Sequence, residues 1–331
     1  MSLMAASGSY PGVAGFPGST TTGYRNAPGY TGSLADGTGT TVTSSTTYNH
    51  LDFPGGLSIG TSGSPVTSVT FSGCRFHGGS QQSLVQLHGD GITFSYCSVE
   101  PAVSAPPVTY ANSYEYGIQG DGGYSTSIGA LTVQYCDIWG FGDAISTTGS
   151  TQAKPHVFQY NWIHDAAADG GIYHTDGIGD LASGTTYDSY VVISGNTIMS
   201  AGNTQGIAYE GGASPGNFDH FQVTNNLISG WGYSLNVYGG SGGSTAYMDI
   251  SGNTFSTLLL PVYGPLYNSA GLSGYSAPWQ WRNNRWYVPP GAAWGHPAYS
   301  GYYWLPGTTS SASPSLDEVA AGLAGLSDYA G

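Results

Sequence analysis

Two carboxylates in the middle of the chain stand in the same local frame, Asp143-Ala-Ile and Asp176-Gly-Ile. If both frames are strands on neighbouring turns of one solenoid, the carboxylates lie about one strand spacing, ~4.8 Å, apart. Two acids at that distance do not ionise independently. One holds its proton, and a protonated acid beside a carboxylate is an arrangement that cleaves glycosidic bonds. His174 lies just before Asp176, so Asp143, Asp176 and His174 form the candidate catalytic group. His164 and Asp165 open the loop that leads in, Asp180 continues the strand, and Tyr209 and Glu210 fall one turn further on. These five and Tyr238 are the candidate substrate-binding residues, and Tyr173, Trp231, Tyr233 and Tyr263 are further aromatic side chains able to stack on sugars. Two other chemistries fit the same residues. Asp before Gly caps a turn through its own side chain, and His164, Asp165, His174 and Asp176 are the ligand types of a metal site. All three stay open on sequence alone; the reading carried forward is a glycan site with no metal and no cofactor.

The elements that must position these residues form a repeat. Cys74, Cys97, Cys136, Asn161, Asn196, Asn226, Asn253 and Asn284 each end an alternating segment such as Val-Val-Ile-Ser-Gly-Asn. An apolar residue follows each of them two positions later: Phe76, Val99, Ile138, Ile163, Ile198, Ile228, Phe255 and Trp286. Alternation, a polar bend and a further apolar residue describe a strand, a sharp corner and another strand. A second strand set falls between the column members, at Leu84–Leu87, Gly117–Gln119, Ala144–Ser146, Gly177–Gly179, Gly206–Ala208, Leu235–Val237 and Pro261–Tyr263. The shortest interval, Cys74 to Cys97, is 23 residues, which suits a three-sided coil, and longer intervals must loop out. The fold expected is all-β, a right-handed parallel β-helix of about 8 or more coils. In it the Asn residues stack as a ladder of side-chain amides and accommodate the left-handed backbone that the corner needs. The cysteines are small members of that column; a zinc site is the alternative, without Cys-x-x-Cys spacing to support it.

Residues 1–40 are Gly, Ser, Thr, Pro and Tyr without period and read as an N-terminal arm or attachment segment; 41–288 are the β-helix; 289–331 form an aromatic cap and a short helix opened by Ser315-Leu-Asp-Glu318. A cap is required because the last coil otherwise presents unpaired edges. Only 7% of residues are charged, and the net charge of -14 reflects few bases, Lys154 being the single lysine. That balance argues against nucleic acid as a partner. A surface of Ser, Thr, Tyr, Trp and Asn suits neutral sugars. The sequence shows no signal peptide and no window long enough to span a bilayer, so no membrane partner is expected.

His174-Thr-Asp-Gly-Ile178 resembles the Asn-Thr-Asp-Gly motif of the polygalacturonases, within the pectin-lyase-like superfamily of β-helix proteins. The resemblance implies that Asp176 is a catalytic carboxylate. From Pro28-Gly-Tyr-Thr-Gly-Ser-Leu to the Trp/Tyr-rich end, the chain is similar to β-helix minor tail proteins of actinobacterial phages. That similarity implies a virion component, extracellular after release, which meets a host polysaccharide, is a homotrimer and touches other tail proteins. The functional expectation is a polysaccharide-recognising β-helix that acts as a glycoside hydrolase through Asp143 and Asp176. The alternatives are a non-catalytic structural or adhesive tail protein and a polysaccharide lyase.

Overall fold

The computed structural model describes residues 15–39, 41–78, 83–106, 108–109, 114–120, 128–167, 175–182, 190–202, 204–211, 220–238, 248–256, 258–259, 264–267, 279–282 and 284–287. The aromatic cap, the helix expected from Ser315 and the strand expected at Pro261–Tyr263 lie outside the described residues. What is described is a right-handed parallel β-helix with three sheets of ten, nine and nine strands, each strand paired with its equivalent one coil away. Each coil takes a strand of the third sheet, turns a corner, adds a short strand of the first sheet, and passes to a strand of the second. One such coil is Leu131–Gln134, Asp137–Trp139 and Phe141–Thr147. The second-sheet strands sit where the sequence places them, with Gly264–Tyr267 the last of the row.

The core follows from side-chain alternation along stacked strands. Ile138, Ile163, Ile198, Ile228 and Phe255 face inward in unbroken register and are at most 1% exposed. In the first coils Phe71 stacks on Phe94 at 5.2 Å and Phe53 on Phe76 at 5.2 Å.

The corner column is the ladder expected. Asn161, Asn196, Asn226 and Asn253 are fully buried, and the Oδ1 of Asn196, Asn226 and Asn253 accepts both the backbone N–H and the Nδ2 of the preceding Asn, as from Asn196 to Asn226 at 2.9 and 2.9 Å. Each Nδ2 also donates to a carbonyl one coil back; for Asn226 this is Ile193 O at 3.0 Å. Cys136 enters the same ladder, its N–H donating to Asn161 Oδ1 at 2.9 Å. Cys74, Cys97 and Cys136 are buried free thiols. Burial raises the Cys97 thiol pKa well above normal, and the hydrogen bond from Cys97 together with burial does the same to Cys74. One detail differs from the sequence reading. The left-handed backbone belongs to the residue before the column: His50, Gly73, Tyr96, Tyr135, Tyr160, Gly195, Asn225 and Gly252 all have φ between 50° and 70°. The Asn side chain is committed to the interior ladder, so the turn itself falls one residue earlier.

Residues 15–39 lie along the body as a strap that crosses the coils in the reverse direction. Thr197 Oγ1 donates to Pro17 O at 2.7 Å, Gly23 N–H donates to Tyr135 O at 2.9 Å, and Tyr24 N–H reaches Ser98 Oγ at 3.3 Å. Thr22, Tyr24 and Ala27 of the strap are themselves buried. The strap ends in Ala35–Asp36, which pairs with Leu51–Pro54 as the first strand of the first sheet.

His156 is the one ionisable side chain among the inward positions of the third sheet between Leu131 and Val191. It is fully buried. Its ring nitrogens lie 3.1 Å from Thr147 Oγ1 and 3.1 Å from Gly129 O, which suits the neutral ring with Nε2–H donating to the carbonyl. Burial depresses its pKa to about 4, against about 6.5 in an unfolded chain. The folded state therefore binds fewer protons, so this contribution is complete above pH 6.5 and is lost as pH falls towards 4. The loss expected over that interval is about 3 kcal/mol. Urea unfolding at pH 7.5 and pH 4.5 should show it for the parent protein and show much less for His156→Leu.

Candidate functional site

Asp143, Asp176, His164 and Asp165 lie at the turn from the first sheet to the second. Asp143 and Asp176 occupy equivalent places: Ile145 pairs with Ile178, and each Asp stands two residues before its Ile. Asp143 Oδ1 accepts the backbone N–H of Asp176 at 3.1 Å. Asp176 repeats the device one coil on, its Oδ1 accepting the N–H of Gln205 at 2.9 Å and the hydroxyl of Thr204 at 2.7 Å. With the Gln205 amide turned so that its nitrogen faces the carboxylate, it donates to Asp176 Oδ1 and Oδ2 at 2.5 and 3.2 Å, and its oxygen accepts from Asn236 Nδ2 at 3.1 Å. Asp176 is 7% exposed, whereas Asp143 is half-buried. This is a hydrogen-bonded column running up the corner, each side chain satisfying the backbone of the next coil.

A second cluster was only half legible. His164 is 8% exposed, with Nδ1 2.6 Å from Asp165 Oδ2 and Nε2 2.9 Å from Asp137 Oδ1. Burial on its own lowers the pKa of the imidazole, but the two carboxylates reverse this and leave it raised. The two carboxylates thus favour the protonated ring, which stacks on Trp162 at a centroid distance of 3.6 Å, a geometry that favours a cation on the indole face. Its pH dependence has the opposite sign to that of His156: the contribution is complete below about pH 6.5 and is lost as pH rises through the raised value. Asp165 adopts the left-handed region at φ 47°, which Asp tolerates better than most side chains, and its carbonyl accepts the N–H of Gly140 at 3.0 Å. Asp137 escaped the sequence reading because it meets His164 diagonally, Asp137 pairing with Trp162 and Trp139 with His164. The signal was Asp137 and His164 lying one before and one after the inward Ile138 and Ile163.

The remaining candidates divide. Asp180 pairs with Thr147 and Tyr209, and Glu210 with Leu181 and Tyr238, so these four share neighbouring strands of the second sheet, four or five residues along the strand from the Asp column. His174 and Tyr173 lie outside the described residues. Trp231 is not an exposed sugar platform: it is 1% exposed, a core residue. Both ring nitrogens of His164 are occupied by carboxylates, and among the described residues no group of three His, Cys, Asp or Glu is arranged to hold a metal ion. Among those residues no helix is long and apolar enough to cross a membrane.

Fold and corner together define the class, a three-sheet right-handed parallel β-helix with a polar column and a His–carboxylate cluster at one edge. No family model, no curated protein and no solved structure matches the chain.

Proposed function

We propose that this protein recognises polysaccharide along the flank of its β-helix, as an adhesive component of a virion tail. The observation that carries the reading is the periodicity of the outer surface. Ser72, Ser95, Gln134, Gln159, Ser194, Thr224 and Ser251 occupy one outward column, one per coil. A surface that repeats the same neutral hydrogen-bonding groups at strand spacing suits a polymer of repeating hydroxylated units. The shortage of cations, with Lys154 the single lysine, favours a neutral polymer over an anionic one.

Glycoside hydrolysis is the second reading, favoured by the alignment of Asp143 with Asp176 beside the Asp137–His164–Asp165 cluster. The bonds made by Asp176 weigh towards the first, because a carboxylate that accepts from Thr204 and Gln205 is holding the coil together. One experiment separates them. The parent and Asp176→Asn are incubated with a panel of bacterial and plant polysaccharides, and binding, new reducing ends and ultraviolet-absorbing unsaturated ends are followed. Recognition without turnover predicts binding, no new ends, and an Asp176→Asn variant destabilised by about 1–3 kcal/mol. A hydrolase predicts reducing ends from the parent and at least about a hundredfold loss in a normally folded Asp176→Asn. Absence of binding to every polymer overturns both.

A further inference from the structure

The left-handed corner column contains three consecutive tyrosines, and their placement is unusual. Gly73, Gly195 and Gly252 occupy this column in other coils, where glycine adopts the conformation without strain. Tyr96, Tyr135 and Tyr160 adopt it at φ 52°, 54° and 57°, against the steric preference of an ordinary side chain. Their rings stack face to face at 4.7 and 5.1 Å, tilted by 7° and 15°. The stack ends on Gly195, where a Cβ would stand 2.7 Å from the Tyr160 ring. Tyr160 is the one large hydrophobic side chain exposed among the described residues, at 44%.

Stacking alone does not call for tyrosine. The stacks inside the coils are mainly phenylalanine, Phe71 on Phe94 and Phe53 on Phe76, with Tyr48 closing one end on Phe71. What the outer stack adds is a row of phenol hydroxyls, one per coil. Beside it runs the column of Ser95, Gln134 and Gln159, itself linked by side-chain hydrogen bonds, Gln159 Nε2 donating to Gln134 Oε1 at 3.0 Å and Gln134 Nε2 to Ser95 Oγ at 3.4 Å. The next outward column carries Thr93, Thr132 and Val157. Hydroxyls, amides and ring edges repeat together on the third-sheet side of the corner, and these two columns bring no formal charge to it.

We infer that Tyr96, Tyr135 and Tyr160 form a binding rail for a neutral, hydroxyl-rich polysaccharide laid along the axis of the helix. The phenol hydroxyls exchange hydrogen bonds with sugar hydroxyls, the flanking amides add a second line of partners, and the ring edges cover the apolar C–H groups of the sugar. This rests on the proposed recognition of polysaccharide and adds where the chain lies and which charge class it has.

The test uses the full chain and immobilised amylose, dextran and arabinogalactan as probes, with polygalacturonate as the acidic comparison. The variant Tyr96→Phe/Tyr135→Phe/Tyr160→Phe keeps the rings and removes the hydroxyls. It should melt at the parent temperature and bind the neutral polymer at least about tenfold more weakly, the sum of modest losses from each hydroxyl. A merely structural stack predicts unchanged binding by this variant, and that result overturns the rail. Tighter binding of polygalacturonate than of any neutral polymer overturns it as well. Should the triple variant fail to fold, Tyr160→Phe alone gives the same reading at about threefold. A parent protein that binds none of the polymers refutes recognition itself, whereas a binding parent with an unaffected variant refutes the rail alone.

Discussion

Asn226→Leu will destabilise the protein by at least about 3 kcal/mol, measured by urea unfolding, although Leu and Asn are similar in size. Asn226 Oδ1 accepts the N–H and the side-chain amide of Asn196, and its Nδ2 donates to Ile193 O and Asn253 Oδ1 at 3.0 and 3.0 Å. Leucine leaves a buried backbone N–H without its acceptor and weakens three further polar groups, each orphaned donor costing about 1–3 kcal/mol. The neighbouring residue provides the control. Asn225 is exposed and in left-handed backbone at φ 57°, so Asn225→Gly should change stability by only a few tenths of a kcal/mol, as other coils already carry glycine there. Equal effects from the two substitutions would contradict the ladder.

Trp231→Ala will cost about 3–5 kcal/mol, the scale for emptying a large aromatic site in a packed core. The indole fills a niche cut by glycines of the preceding coils: a Cβ on Gly177, Gly202 or Gly206 would come within 3.1, 2.5 or 2.9 Å of its ring. Gly202→Ala should therefore be strongly destabilising in the parent and much less so in the Trp231→Ala background. A double-mutant cycle in denaturant measures the difference. If the two effects simply add, the ring does not occupy that niche.

The sequence made the inward Ile column and the Asn ladder legible because both recur at the same offset in every coil. The strands around Asp143 and Asp176 were legible for the same reason, and their equivalence survives in the register of Ile145 with Ile178. What the spacing could not tell was the direction of the carboxylates. Equivalent positions put two side chains in adjacent coils, but whether they face one another or cap the next backbone N–H depends on local torsions that no repeat records. The Asp137–His164 contact was hidden by its diagonal course. The burial of Trp231 was written in Gly177, Gly202 and Gly206, but glycines so abundant in turns carry little signal one by one. The strap had no pattern to read because it crosses the coils instead of joining them.

That strap changes how the molecule must assemble. A solenoid held only by contacts between neighbouring coils can zip and fray from either end, and its stability is close to a sum of local terms. Pro17 binds Thr197 across 180 residues of sequence, so the part of the strap that contains it is made early in synthesis and completes its docking only after the coil carrying Thr197 has formed. Its closure carries a long loop's entropy and contributes little until late. Once closed, it ties the coils from Leu51 to Thr197 into one cooperative unit, so that losing the first coils also releases the clasp over later ones, and fraying gives way to all-or-none opening of that part of the rod.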